Sequence, residues 1–261
     1  MISDIALSLY EAMQQARPLP PLSQTWPNLT GDDAYEVQKA FLAHRRGRRV
    51  GYKIGLTNPA VQKQLGVSEP DYGVLLDTME VPHQGVTSAR RLIAPRIEGE
   101  LAFVLGEDLD SADISARDVL TATEWVYPSL EIVDSRILDW KITIIDTVAD
   151  NASAGQFVLG PKGVRPQDVD FELSGVTMRI NGAVESTGTT GASLGNPLHA
   201  VAWLARTMFA RRSPLRKGDL LLSGALCPMV AVRGGMHVDL DISGVGTAAV
   251  RFSDEPVIPG F

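Results

Sequence analysis

Cysteine is almost missing from this chain: Cys227 is the only one in 261 residues. No intrachain disulfide can form, which excludes a disulfide-stapled fold and fits a reducing compartment. Histidine is scarce as well. His44, His83, His199 and His237 are scattered, with no HxH or HExxH spacing, so neither a zinc site nor a histidine base finds support. No apolar run approaches the length of a membrane span, and the N-terminus lacks a basic-then-apolar signal pattern. The expectation is a soluble, cytoplasmic protein with no membrane partner. A basic stripe is missing too. The net charge is -7, and the arginine clusters Arg45-Arg46-Gly47-Arg48-Arg49 and Arg211-Arg212 are short, which argues against a nucleic-acid partner. Each cluster is expected beside a helix C-terminus, where cations are favourable. There is no GxSxG elbow for a serine nucleophile, no internal repeat and no low-complexity segment. The glycine cluster Gly188-Thr189-Thr190-Gly191-Ala192-Ser193-Leu194-Gly195 matches neither phosphate-loop pattern and reads as a loop.

What remains is an ordinary globular composition, 44% hydrophobic and 21% charged, with 24 glycines and 16 prolines spread along the chain. The length allows one large domain or two unequal ones. Ile5, Leu7, Leu9, Tyr10 and Met13 predict an amphipathic helix over residues 2 to 16, stopped by Pro18-Leu19-Pro20-Pro21. A second helix is expected from Ala34 to Leu42, with Asp32 or Asp33 as its N-cap. These form a small helical N-terminal unit, residues 1–48, ahead of a β-rich catalytic domain, 49–261. In that domain strands are predicted near 50–56, 74–76, 96–105, 128–135 and 155–160, then 176–180, 220–222, 236–240 and 248–252. Between them come a short helix at 58–65 and a turn at Glu69-Pro70-Asp71-Tyr72-Gly73. A helix follows near 116–126, then a polar-dotted helix or loop at 142–153. Asn181-Gly182 predicts a type I′ hairpin, and Asn196-Pro197 starts a helix through Met208. The residues from Asp254 onward read as a loose tail.

One stretch organises the chemistry: Arg96-Ile97-Glu98-Gly99-Glu100-Leu101-Ala102-Phe103-Val104-Leu105. On a strand, Glu98 and Glu100 point to the same face, about 7 Å apart. Two like charges at the mouth of an apolar strand repel, and desolvation aggravates this. A divalent cation between them would reverse the cost; an edge strand with a wet face would also tolerate them. Glu131, inside Leu130-Glu131-Ile132-Val133, is a third carboxylate in an apolar run. Three glutamates make an all-oxygen site suited to a hard cation, Mg²⁺ or Mn²⁺. Lys53, flanked by Gly51 and Gly55, would offset part of their charge, or snorkel to the surface. Asp71 is either a turn residue or a partner of that lysine.

Five motifs in order carry a family resemblance: Gly51-Tyr52-Lys53-Ile54-Gly55-Leu56-Thr57, then Gln64-Leu65-Gly66-Val67 with Pro70-Asp71-Tyr72-Gly73, then Arg96-Ile97-Glu98-Gly99-Glu100. Leu130-Glu131-Ile132-Val133-Asp134-Ser135 and Asp146-Thr147-Val148-Ala149-Asp150-Asn151-Ala152-Ser153 complete the set. The chain resembles the 2-keto-4-pentenoate hydratase group of the fumarylacetoacetate hydrolase superfamily over nearly its whole length, including Leu222-Ser223-Gly224-Ala225-Leu226. The resemblance implies an α+β fold: a mixed β-sandwich roll with a helical N-terminal cap, in a homo-oligomer. It implies a divalent metal on Glu98, Glu100 and Glu131 and a 2-hydroxydienoate or related 2-oxo acid substrate. The simplest substrate, 2-hydroxypenta-2,4-dienoate, would be hydrated to 4-hydroxy-2-oxopentanoate in meta-cleavage degradation of aromatics. Lys53 and Asp71 would be the catalytic pair, and Ser153 and Ser223 would bind substrate. The hydrolase branch usually carries a lid histidine, and none stands in the corresponding stretch here, which favours hydration or decarboxylation. Two alternatives accompany this reading. One is a metal-dependent 4-oxalocrotonate (2-oxo-3-hexenedioate) decarboxylase. The other is a non-catalytic partner subunit, since hydratase and decarboxylase of these pathways can associate.

Overall fold

The computed structural model describes residues 1–58, 62–63 and 67–255. The chain opens with three helices, α1 (Ile2–Gln15), α2 (Leu22–Thr25) and α3 (Gly31–Ala43). Ile5, Leu9, Leu22, Val37 and Phe41 bury their side chains in a cluster that also takes Ile137, Val148 and Ala149 from further along the chain. The N-cap of α3 is Thr30, not Asp32 or Asp33. Its hydroxyl accepts from the Asp33 N–H while the Asp33 carboxylate accepts from the Thr30 N–H, a reciprocal box that leaves Asp33 at the third helical position. The arginine clusters do follow helix ends: Arg45 comes just after α3, and Arg211 caps α6 (Pro197–Ala210).

Two mixed sheets make up the rest. The seven-stranded sheet has the order β2 (Asp71–Leu76), β1 (Arg49–Gly55), β9 (Leu220–Leu222), β4 (Arg96–Leu105), β5 (Thr123–Val133) and β6 (Ala154–Leu159), with β10 (Val230–Ala231) also on β4. The five-stranded sheet runs β3 (Gly85–Ser88), β12 (Gly246–Ser253), β11 (His237–Ile242), β7 (Gly175–Ile180) and β8 (Ala183–Thr189). Parallel pairing occurs at β1/β9 and β3/β12, and the remaining pairs are antiparallel. The core lies between the sheets: Ile97, Leu101 and Phe103 of β4 and Leu130 and Ile132 of β5 meet Met178, Val238, Leu240 and Val250. This is an α+β fold built on a mixed β-sandwich roll. Asn181 and Gly182 both have positive φ, 51° and 85°, as the β7–β8 hairpin requires.

Period-two alternation then fixes what faces away from that core. With Ile97, Gly99 and Leu101 turned inward, Glu98 and Glu100 emerge together on the opposite face. Gly99 is needed for the inward fit, since a Cβ there would lie 2.6 Å from Leu240 Cδ1. Tyr52 and Ile54 likewise enter the core, so Lys53 shares the face of the glutamates.

Two further expectations need correcting. Asp71-Tyr72-Gly73 is not a turn: these residues pair with Gly55, Ile54 and Lys53 as the start of β2. Gly73 makes this strand fit, because any Cβ there would fall 2.4 Å from the Asn151 carbonyl oxygen. The helix expected over 116–126 ends at Ala122 in α4 (Ala116–Ala122), and Thr123 onward belongs to β5, paired along β4. Tertiary pairing outweighs local propensity there. The expected helix at 58–65 and the tail beyond Glu255 lie wholly or largely outside the described residues. Among the described residues no helix is long and apolar enough to cross a membrane.

Candidate metal centre

Antiparallel register sets Glu98 directly opposite Glu131, and Glu100 opposite Ser129. The three glutamates each offer an oxygen within 4.8 Å of the others. Glu100 and Glu131 are fully buried, and Glu98 reaches the wall of a cavity of about 780 Å³. Like charges set directly across a ladder destabilise it, and here they are also out of water. Burial and neighbouring Glu131 push Glu98 up to about 7, with Lys53 opposing. Burial likewise raises Glu100 well above, and Glu131 above, the usual carboxylate range.

The hydrogen bonding is incomplete in a telling way. Both Glu131 oxygens and Glu100 Oε1 are buried with no hydrogen-bond partner, and only Glu100 Oε2 is served, by the Gly224 N–H at 2.9 Å. Buried acceptors left unpaired cost free energy unless a cation takes them. Three converging carboxylates with spare oxygens fit a hard divalent cation, with room in the cavity for water or substrate oxygens to complete its shell. Gly224 (φ 90°) must be glycine for that N–H to reach: a Cβ would meet Thr57 Oγ1 at 2.3 Å.

Lys53 is the counter-charge. Its Nζ lies 3.4 Å from Glu131 Oε1 and donates to the Ala152 carbonyl at 2.9 Å. Burial alone would pull the ammonium down, but Glu131, Asp71, Glu98 and Glu100 outweigh it and hold the lysine above its ordinary value. It therefore stays protonated at neutral pH. Asp71 accepts from the Thr147 hydroxyl at 3.2 Å through Oδ2, while Oδ1 is unpartnered. Burial raises its carboxyl and Lys53 opposes the rise. Gly55 leaves the space for it, since a Cβ there would fall 2.2 Å from Asp71 Oδ1. The glycine beside the lysine is thus part of the site.

Lys53, Asp71, Glu98 and Ser153 line the cavity together, and the Ser153 hydroxyl is buried and unpartnered. Ser223 does not line it. Its Oγ accepts from the Leu101 N–H and its carbonyl from the Ser193 hydroxyl, so that segment serves the site through the Gly224 N–H instead. Apolar residues line the cavity as well: Val133, Trp140, Ile142, Leu226 and Met229. Arg96 is the only other cation lining the cavity among the described residues, its guanidinium 4.7 Å from the Trp140 ring centroid.

Apart from Ser153, assigned to substrate, sequence reasoning gave no role to the turn that follows α5 (Ile144–Ala149). Asn151, Ala152 and Ser153 all have positive φ, 54°, 49° and 55°. Each non-glycine residue so placed carries a penalty of about 1–2 kcal/mol. Asn151 holds the turn by clamping β2: its Oδ1 accepts from the Val74 N–H at 2.8 Å and its Nδ2 donates to the Val74 carbonyl at 3.0 Å. The turn in turn presents the Ala152 carbonyl to Lys53. Asn151→Ala should therefore lower kcat by roughly 10²-fold, the usual cost of an ångström of misplacement. Metal affinity should be unchanged; a loss confined to metal affinity would contradict this positioning role.

The raised carboxyls also set a pH dependence. Without metal, the folded state favours protonated Glu98, so its contribution to stability is full below about 4.5 and is lost as pH rises through about 7. The melting temperature of chelated protein should fall from pH 5 to pH 8. Metal should bind more tightly across the same interval, since it displaces that proton. A metal affinity flat with pH would contradict the assignment.

The model for the fumarylacetoacetate (FAA) hydrolase C-terminal region matches residues 58–253, and the chain belongs to that family. Within it, the chain is 48% identical to a 2-keto-4-pentenoate hydratase of Paraburkholderia xenovorans (strain LB400), over 95% of this chain and 94% of that protein. It is 45% identical to a 2-hydroxyhexa-2,4-dienoate hydratase of Comamonas testosteroni, over 94% and 95% of the two chains. Among solved structures it is similar to 4-oxalocrotonate decarboxylase from Pseudomonas putida G7, complexed with magnesium and adipate. That likeness has a TM-score of 0.93 and 33% identity, and covers 96% of this chain and 97% of the other.

Proposed function

We propose that this chain is a metal-dependent hydratase of 2-hydroxydienoates, converting 2-hydroxypenta-2,4-dienoate or a close analogue to the 4-hydroxy-2-oxo acid. The observation that carries the reading is the triad Glu98, Glu100 and Glu131, the last two buried with unpaired oxygens and the Lys53 ammonium beside them. The all-oxygen set favours Mg²⁺ or Mn²⁺. A cation held there would supply Lewis acidity to the substrate's carboxylate and 2-oxygen.

The side chains divide the remaining work. Ketonisation of the dienol puts a proton on C5 and gives the α,β-unsaturated ketone; water then adds at C4 and a proton at C3. Lys53, held protonated by four carboxylates in the metal-free site, donates a hydrogen bond or a proton to developing enolate charge. Asp71, with Oδ1 free and its carboxyl raised by burial, accepts the proton of the 2-hydroxyl or of the attacking water. The unpartnered Ser153 hydroxyl holds the substrate. The apolar wall of Val133, Trp140 and Ile142 packs the diene and limits bulk water. A cytoplasmic homo-oligomer, able to associate with other enzymes of its pathway, completes the proposal.

The decarboxylase reading is kept by one observation: Arg96 on the cavity wall is a cation able to meet a second carboxylate. The higher identity to hydratases, 48% against 33%, favours hydration. The test is to give the metal-loaded protein each substrate in turn. Gain of one water by 2-hydroxypenta-2,4-dienoate, with no carbon dioxide from 2-oxo-3-hexenedioate, is expected. Carbon dioxide release without hydration would replace the proposal with its rival, and silence on both would favour the non-catalytic partner.

A further inference from the structure

A second cavity, of about 130 Å³, lies where the N-terminal helices meet the seven-stranded sheet, lined by Met13, Arg45, Thr78, Arg91, Asp134 and Arg136 among others. That space admits several waters or one tetrahedral anion. Its charge does not balance. Arg136 is fully engaged: its guanidinium pairs with the Asp150 carboxylate and donates to the Asp134, Asp150 and Ala154 carbonyls. The Asp134 carboxylate accepts from the Ile93 and Ala94 N–H groups. Three guanidinium groups thus face two carboxylates, and neither Arg45 nor Arg91 has an acidic partner among the described residues.

Arg45 is the stranded member. Its Nη1 is shut off from solvent and has no hydrogen-bond partner. Its charge is poorly matched as well: burial and neighbouring Arg136 pull its guanidinium down to about 10. Water in the cavity would serve the N–H but leave the charge. We propose that this cavity binds a small oxyanion (phosphate, sulfate or a short carboxylate) through Arg45 and Arg91. Planar guanidinium groups match such oxygens in paired hydrogen bonds. The same chemistry has two sources, a free anion or an aspartate or glutamate of a second copy, and the small volume of the pocket favours the free anion.

The experiment is thermal unfolding of the metal-loaded protein in rising sulfate, with chloride at matched ionic strength, for wild type, Arg45→Gln and Arg91→Gln. Sulfate stabilises any protein by exclusion from its surface, and that part is common to all three. Wild type should show an added saturating rise, about 3–5 °C at ten times the dissociation constant. Arg45→Gln should lose it, and Arg91→Gln, at an exposed position, should weaken it several-fold. Both variants should turn over substrate as wild type does. Equal sulfate responses in wild type and Arg45→Gln would overturn the proposal. So would a wild type without a saturating rise whose assembly shrinks in Arg45→Gln, since the acceptor would then be a second copy's carboxylate.

Discussion

Glu131→Gln should abolish metal-dependent turnover while leaving the metal-free protein as stable as wild type, or more so. Both Glu131 oxygens are buried without a hydrogen bond, and its one attractive partner, Lys53 Nζ at 3.4 Å, keeps Asp71, Glu98 and Glu100 as counter-charges in the variant. Glu131 does contribute charge, lying opposite Glu98 in the ladder. A neutral amide of the same shape keeps the packing and removes one of three crowded charges. The cation then loses a ligand, and the reaction loses Lewis-acid stabilisation worth several kcal/mol. At about 1.4 kcal/mol per tenfold, a loss of roughly 10³-fold or more in kcat/KM follows. Rate, metal affinity by calorimetry and melting temperature should be read together. Loss of activity with unchanged metal affinity would remove Glu131 from the ligand set. A large drop in the melting temperature of the chelated variant would make its role structural.

Lys53→Met should produce the complementary pattern: metal retained, catalysis lost, and the metal-free protein weakened. Removing the ammonium takes away the proton donor, a loss of about 10²–10⁴-fold in kcat. It also leaves Glu131 and Asp71 without their cation, and breaking a buried pair in this way costs about 3–5 kcal/mol. The cost has a pH signature. Carboxyls already raised by burial take up protons more readily once the lysine is gone, so the destabilisation should be smaller at acidic than at alkaline pH. A divalent cation should restore stability at pH 8 without restoring the rate. If Lys53→Met kept near-wild-type kcat, Lys53 would be a structural counter-ion and the proton would come from elsewhere.

The two variants divide the site along the line between what is legible in a sequence and what is not. Glu98 and Glu100 are visible because strand geometry is local: two residues apart means one face, and an apolar run after them means burial. Glu131 stands out because it interrupts such a run. Most of the strand pattern, the Asn181-Gly182 hairpin and the Asn196 cap of α6 are legible for the same local reason, whereas β3 and β10 are not. What serves Lys53 is not. Its acceptor is a backbone carbonyl from Ala152, in a left-handed turn that exists because Asn151 reaches across to Val74. No spacing rule encodes a contact between residues 99 positions apart. Asp71 illustrates the opposite error. Proline before it and glycine after it read as a turn, whereas the pairing of β2 with β1 draws it into a strand and places it against Gly55. Ser223 stands in a motif whose useful atom is the N–H of its neighbour Gly224.

Stripping the protein with chelator and titrating Mg²⁺ or Mn²⁺ back asks whether the three glutamates hold one divalent cation on which hydration depends. The absorbance of freshly generated 2-hydroxypenta-2,4-dienoate and the mass of its product should be followed together. The stripped protein should be inactive, and activity should return in proportion to bound ion up to one per chain, with a product heavier by one water. Full hydration by the stripped protein would contradict that dependence.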